Sequence, residues 1–105
     1  MIKMIALVKK LEGLSREEFV QRWVQEHTKL SGVLGMKGYR INVALEPQPG
    51  ENRPPYDGTA EIWWEDETAM FAALNSPAGV LAGKDTERFC SKLEFVYTEE
   101  FVVIS

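Results

Sequence analysis

Thr59-Ala60-Glu61-Ile62-Trp63-Trp64-Glu65 reads as a β-strand with large apolar side chains on both of its faces. Successive side chains of a strand point to opposite faces, so Trp63 and Trp64 cannot share one. One tryptophan packs against the layer that covers the sheet, and its neighbour is left on the far side. Burying a large side chain contributes roughly 1.5–3 kcal/mol, so a sheet face left wet would forfeit much of a small domain's stability. The stretch therefore asks for a layer on each side of the sheet. Phe101-Val102-Val103-Ile104 makes the same demand.

Toward the C-terminus, Asp66 is placed to cap a helix whose inner face carries Ala69, Met70, Ala73 and Leu74. Ser76-Pro77 caps and opens another helical segment. Asp85 is a candidate cap for a further turn through Arg88 and Phe89, and residues 93–104 close the chain as a strand bent near Glu99-Glu100. Toward the N-terminus, residues 46–58 hold four prolines and two glycines and carry no regular structure. At 13 residues this connection is long for a compact domain, which suits a mobile tip or a lid. Residues 39–45 alternate Tyr39, Ile41, Val43 and Leu45 against Arg40, Asn42 and Ala44, the period of a strand.

The chain opens with an unbroken apolar strand at residues 2–9 and a turn at Gly13. Ser15 and Glu18 form a capping box that starts a helix. Phe19, Val20, Trp23 and Val24 recur on it at helical spacing, and it reaches His27 and on toward Leu30 before Gly32 and Gly35 loosen it. The order strand, helix, strand, strand, helix, strand predicts an α+β, ferredoxin-like βαββαβ domain over residues 1–105. Its antiparallel sheet carries both helices on one face. A homodimer that stacks two open sheet faces is the simplest source of the missing layer.

The 105 residues are 45% hydrophobic and 27% charged, with a net charge of −4. That balance argues against a nucleic-acid or anionic-membrane partner, since both need a basic face. The longest apolar runs fall far short of the roughly 20 residues of a membrane-spanning helix. Cys90 is the only cysteine and His27 the only histidine, so neither a disulfide nor an ordinary metal cluster is expected. The apolar N-terminal stretch is too short for a signal peptide, which makes a cytoplasmic protein the expectation.

His27 lies four residues after Trp23 and eight after Phe19, along one row of the helix surface. Imidazole exchanges protons near neutral pH, so His27 is the candidate general acid or base; a structural histidine near a helix end is the alternative. Tyr39, on the strand that follows, has a hydroxyl able to donate to a carbonyl oxygen. Trp23, Trp64 and Phe89 are candidates for an apolar pocket wall, although such a stripe also suits a core. Glu61 is a further candidate for the site, either with a raised pKa or hidden behind a partner group. Cys90 reads as a small core hydrophobe, and Glu99-Glu100 as a solvated turn. Glycine motifs for dinucleotides or phosphates and serine nucleophile elbows are absent.

The ordered set of Lys9-Lys10, Gly13, Ser15-x-x-Glu18-Phe19, Trp23, His27 and Gly38-Tyr39-Arg40-Ile41-Asn42 resembles the EthD family. Tyr56-Asp57-Gly58-Thr59-Ala60-Glu61-Ile62-Trp63-Trp64, Ser76-Pro77 and Thr98-Glu99-Glu100 extend the resemblance over essentially the whole chain. Family members often carry Pro-Gly where Leu34-Gly35 stands here. The resemblance implies a dimeric α+β barrel and a helix histidine at the position of His27. It also implies relatives that include cofactor-free isomerases, cyclases, dehydratases and monooxygenases, the last being oxidoreductases. The expectation is a small cofactor-independent protein acting on an aromatic, lactone or polyketide-like molecule, with His27 and Tyr39 catalytic. Two alternatives stand beside it: a non-catalytic binding or accessory protein, and a haem-binding protein with His27 as axial ligand.

Overall fold

In a computed structural model of the chain, residues 1–105 are described, with the side chains of residues 31–34 excepted. Strand β1 (Ile2–Lys10) leads through the Gly13 turn to helix α1 (Arg16–Val20), which runs on as a π-helix (Gln21–Glu26) and a 3-10 helix (His27–Leu34). Strands β2 (Gly38–Val43) and β3 (Gly58–Trp64) follow. Helices α2 (Glu67–Asn75) and α3 (Pro77–Asp85), a 3-10 turn (Thr86–Arg88) and strand β4 (Cys90–Glu99) complete the fold. The strand order β2-β3-β1-β4, antiparallel at every pairing, is the ferredoxin-like arrangement that the element order predicted.

The start signals read from the sequence operate as expected. Ser15 accepts from the Glu18 backbone N–H at 3.1 Å, and the Glu18 carboxylate accepts from the Ser15 N–H at 3.0 Å. Asp66 accepts from the Ala69 N–H at 2.8 Å, and Ser76 from that of Gly79 at 3.0 Å with Pro77 opening α3. Each satisfies a backbone donor that the first helical turn leaves without a partner. The core is the layer between helices and sheet, where Phe19, Trp23, Trp64, Met70 and Phe89 are at most 2% exposed.

Several boundaries differ from expectation. Strand β2 stops at Val43, and Leu45 is exposed because the chain there turns into the proline-rich connection. Strand β4 begins at Cys90 and ends at Glu99, where its partner β1 runs out at Ile2; residues 101–104 lie exposed beyond it. Ala69 faces solvent, so the inner face of α2 rests on Met70, with Ala73 and Leu74 half-buried. Asp85 caps nothing: its backbone is helical, and its carboxylate is spent elsewhere. The helix tightens to 3-10 geometry through Gly32 and Leu34 and ends at Gly35, which has a left-handed φ of 66°.

Candidate functional site

The register of the sheet separates the two tryptophans. Trp64 points to the helices and packs with Met4, Ile62 and Met70. Trp63 lies on the open face, with the Lys3 ammonium 5.0 Å and the Arg40 guanidinium 5.4 Å from its ring centre. Glu61 shares that open face, where it accepts from Lys3 at 3.1 Å and from Asn42 at 3.0 Å. Its pKa is held below the usual value, first by the Asn42 hydrogen bond and then by Lys3, rather than raised by burial.

On the helix side, Phe89 is the meeting point of the long N-terminal helix. Its ring stacks on Trp23 at 5.9 Å, meets His27 edge-on at 5.1 Å and lies 6.3 Å from Phe19. The backbone N–H of His27 bonds to the carbonyl of Arg22, five residues back, in place of the usual four. This wider π-type turn brings Trp23 and His27 onto the same aromatic neighbour, and such turns are frequent at functional sites.

Beside Phe89 lies a cavity of about 100 Å³ between α3 and the sheet, with His27, Trp23 and Tyr39 in its wall. Small residues line it from both sides, Ala6 on β1 and Ala60 on β3 among larger strand residues such as Ile62 and Phe95, and Ala82 and Gly83 on α3. None of the residues lining it is a lysine, arginine, aspartate or glutamate. Tyr39 is half-buried, and this desolvation pushes its phenol pKa up, opposed by the hydrogen-bonding indole of Trp23. Cys90 also lines the cavity; burial alone pushes its thiol up to about 12, so it is not a thiolate nucleophile.

His27 Nδ1 lies 2.7 Å from Asp85 Oδ2 at the end of α3. Arg88 Nε donates to the second Asp85 oxygen at 2.7 Å, and its Nη1 donates to Glu26 Oε1 at 2.9 Å. The Asp85 carboxyl is therefore held below its ordinary pKa, chiefly by Arg88 and then by His27.

The structure thus brings together His27, Tyr39, Trp23 and Phe89. It does not bring Glu61 to this cavity, because the sheet lies between them, and Trp64 packs under α2 without lining it. The proline-rich connection contributes no lining residue either, which leaves no support for its reading as a lid. Asp85 was missed as a partner of His27, its pairing hinted at only by Arg88 three residues on. The cavity itself had a signal in Ala6 and Ala60, small residues in central strands where β-branched ones are favoured.

A four-stranded antiparallel sheet, backed on one face by helices that enclose an apolar cavity, defines an α+β protein of the ferredoxin-like class. The chain belongs to the EthD family: the EthD domain matches residues 11–92. It is similar to an ethyl tert-butyl ether (EthD) family protein from Bacillus halodurans, with 23% identity, a TM-score of 0.79, and 96% of this chain and 99% of that one covered. It is similar to a hydroxynitrile lyase from Passiflora edulis, with 13% identity, a TM-score of 0.75 and coverage of 99% and 96%. A dimeric ferredoxin-like protein of unknown function from Thermobifida fusca matches at 18% identity and a TM-score of 0.69, over 92% of this chain and 88% of that one. At these identities the likeness is one of fold. No curated protein matches. Among the described residues no helix is long and apolar enough to cross a membrane, and no group of metal-binding side chains occurs.

Proposed function

We propose that the chain is a small proton-transfer enzyme acting on an uncharged aromatic, lactone or polyketide-like carbonyl compound held in the helix–sheet cavity. One observation carries this reading: the single histidine and a desolvated tyrosine share the wall of one apolar cavity whose lining has no acidic side chain, lysine or arginine. An anionic ligand would be buried there without a counter-charge, at a cost of several kcal/mol. His27 takes a proton from carbon beside the carbonyl. The C–H electron pair moves into the carbonyl, and the resulting enolate oxygen receives a hydrogen bond from Tyr39. The raised pKa of Tyr39 keeps it protonated as that donor at neutral pH. Positioned acid–base groups of this kind contribute roughly 10²–10⁴-fold, enough for enolisation, isomerisation or an easy ring closure. That a hydroxynitrile lyase shares the fold supports small-molecule chemistry in such a frame. Haem ligation by His27 is less favoured, since a porphyrin far exceeds the cavity.

The open sheet face is the surface we assign to a second copy of the chain, which would cover Trp63, Ile5 and Leu7. The dimeric relative from Thermobifida fusca supports that assembly.

The test is deuterium exchange, followed by proton NMR in D₂O, at carbons beside the carbonyls of a panel of aryl ketones, aromatic lactones and short polyketide lactones. Tryptophan fluorescence reads binding in parallel. Exchange by the wild-type protein that falls at least about tenfold in His27→Gln, with quenching retained, supports the reading. Saturable quenching with no exchange across the panel overturns it in favour of a non-catalytic binding protein.

A further inference from the structure

We propose that Asp85 is the positioning residue of this site: its carboxylate holds the His27 ring so that Nδ1 carries the hydrogen and Nε2 is the atom that exchanges a proton with the ligand. This deepens the reading of His27 as the proton-transfer group and rests on it. A carboxylate only accepts, so at 2.7 Å from Asp85 Oδ2 the ring nitrogen Nδ1 must be the donor. In neutral imidazole the hydrogen sits on one nitrogen, and the bond made by that nitrogen decides which. Nε2 is then left with its lone pair, on the nitrogen not taken up by α3.

The carboxylate is itself fixed from behind. Arg88 donates through Nε to Oδ1 and is anchored to Glu26, the residue immediately before His27. A closed ring of contacts thus runs from His27 to Asp85 to Arg88 to Glu26 and back along the helix. When Nε2 takes the proton, the imidazolium that forms already has its Nδ1–H on a carboxylate, so the positive charge arises next to a negative one. No backbone or side-chain motion is needed at that moment, which is what makes preorganised charge effective.

The same geometry dictates what Asp85→Asn does. Arg88 can only donate, and its bond from Nε to the Oδ1 position at 2.7 Å is much the shorter of its two, the other running from Nη2 to the Oδ2 position at 3.5 Å. It therefore selects the carbonyl oxygen of the new amide at the Oδ1 position and turns the NH₂ group toward His27. Nδ1 must then accept, and the hydrogen moves to Nε2. Because His27 is the only histidine, a spectrum of ¹⁵N-histidine-labelled protein reads its two nitrogens without assignment. In wild-type protein, recorded at a pH where the imidazole is neutral, Nδ1 is expected to show the protonated-type resonance and Nε2 the bare one; in Asp85→Asn the two exchange. For a compound that undergoes exchange, kcat falls on the order of 10²–10⁴-fold in Asp85→Asn with little change in KM.

A wild-type spectrum with the hydrogen on Nε2 overturns the proposal, and needs no variant to fold. So does an Asp85→Asn protein, folded by circular dichroism, that keeps the wild-type pattern. If the nitrogens invert as expected while no compound exchanges with wild-type protein, the hold of Asp85 on the ring stands and the proposed activity falls.

Discussion

Ala6 and Ala60 sit directly opposite each other on the two central strands, and both line the cavity. Because both residues line that space, a larger side chain at either position is expected to project into it. Ala60→Val is therefore expected to lower ligand affinity at least about tenfold, the effect of roughly 1.4 kcal/mol of steric cost. Overpacking costs about 1–3 kcal/mol where no room exists, so a melting temperature within a few degrees of wild type shows that the methyl groups entered a void. Fluorescence titration and thermal denaturation together check this. Unchanged affinity would place the ligand elsewhere.

Gly38 and Trp63 are paired across β2 and β3, and the indole occupies the space that a side chain at Gly38 would take. A Cβ built on Gly38 would stand 1.9 Å from the Trp63 ring, closer than any real contact. Gly38→Ala is expected to push the ring off the strand and away from Lys3 and Arg40, costing about 1–3 kcal/mol in urea unfolding. A midpoint unchanged from wild type would show that the indole had another low-energy seat.

Gly83 is the contrasting case. It stands inside α3 with a helical backbone, and an added Cβ meets nothing within 4 Å. Gly83→Ala removes the entropic penalty of glycine in a helix without a clash, so unfolding free energy is expected to rise by about 0.5–1 kcal/mol. The same urea experiment reads the gain, and a loss of stability would mean that the helix end is held in a shape alanine cannot adopt.

How much of this molecule the sequence discloses depends on the range of the interaction. Ser15 with Glu18, Asp66 and Ser76-Pro77 act over three or four residues, so their spacing is sufficient to place three helix starts. The alternation of Tyr39, Ile41 and Val43 set these three on one face of a strand, but spacing alone could not choose between Trp63 and Trp64. That choice belongs to strand register, because a shift of one residue exchanges the two faces. The Phe19–Trp23–His27 row was legible, though the π-type turn that seats it on Phe89 was not. Asp85 was hidden for a different reason: 58 residues separate it from His27, and only the packing of α3 beside the N-terminal helix joins them. The cavity left only a partial trace, the small residues Ala6 and Ala60 in central strands, because its shape also depends on how α3 packs over them.

The polar network on the open face sets a pH window that can be measured. Lys3 is buried there between Glu61 and Glu100, and both carboxylates accept from its ammonium. Its pKa is raised above 10.5, first by the Glu100 hydrogen bond and, against desolvation, by Glu61 as well. A raised pKa contributes stability that is fully present below the unfolded value and is lost as pH climbs through the folded one. Glu61 has the opposite sign: held below 4.5 by Asn42 and then Lys3, it contributes stability above that value, lost as pH falls through its folded pKa. Wild-type stability in excess of Lys3→Met is therefore expected to be flat between about pH 4.5 and 10.5 and to shrink outside that window on both sides. Because Asn42 is the larger influence on Glu61, the variant keeps part of its own acid dependence, and the alkaline arm is the cleaner test. Urea midpoints of both proteins across that range measure it. A difference that persists undiminished well above pH 10.5 would mean that Lys3 stabilises the sheet by packing its methylene stem on Trp63 and not by its charge.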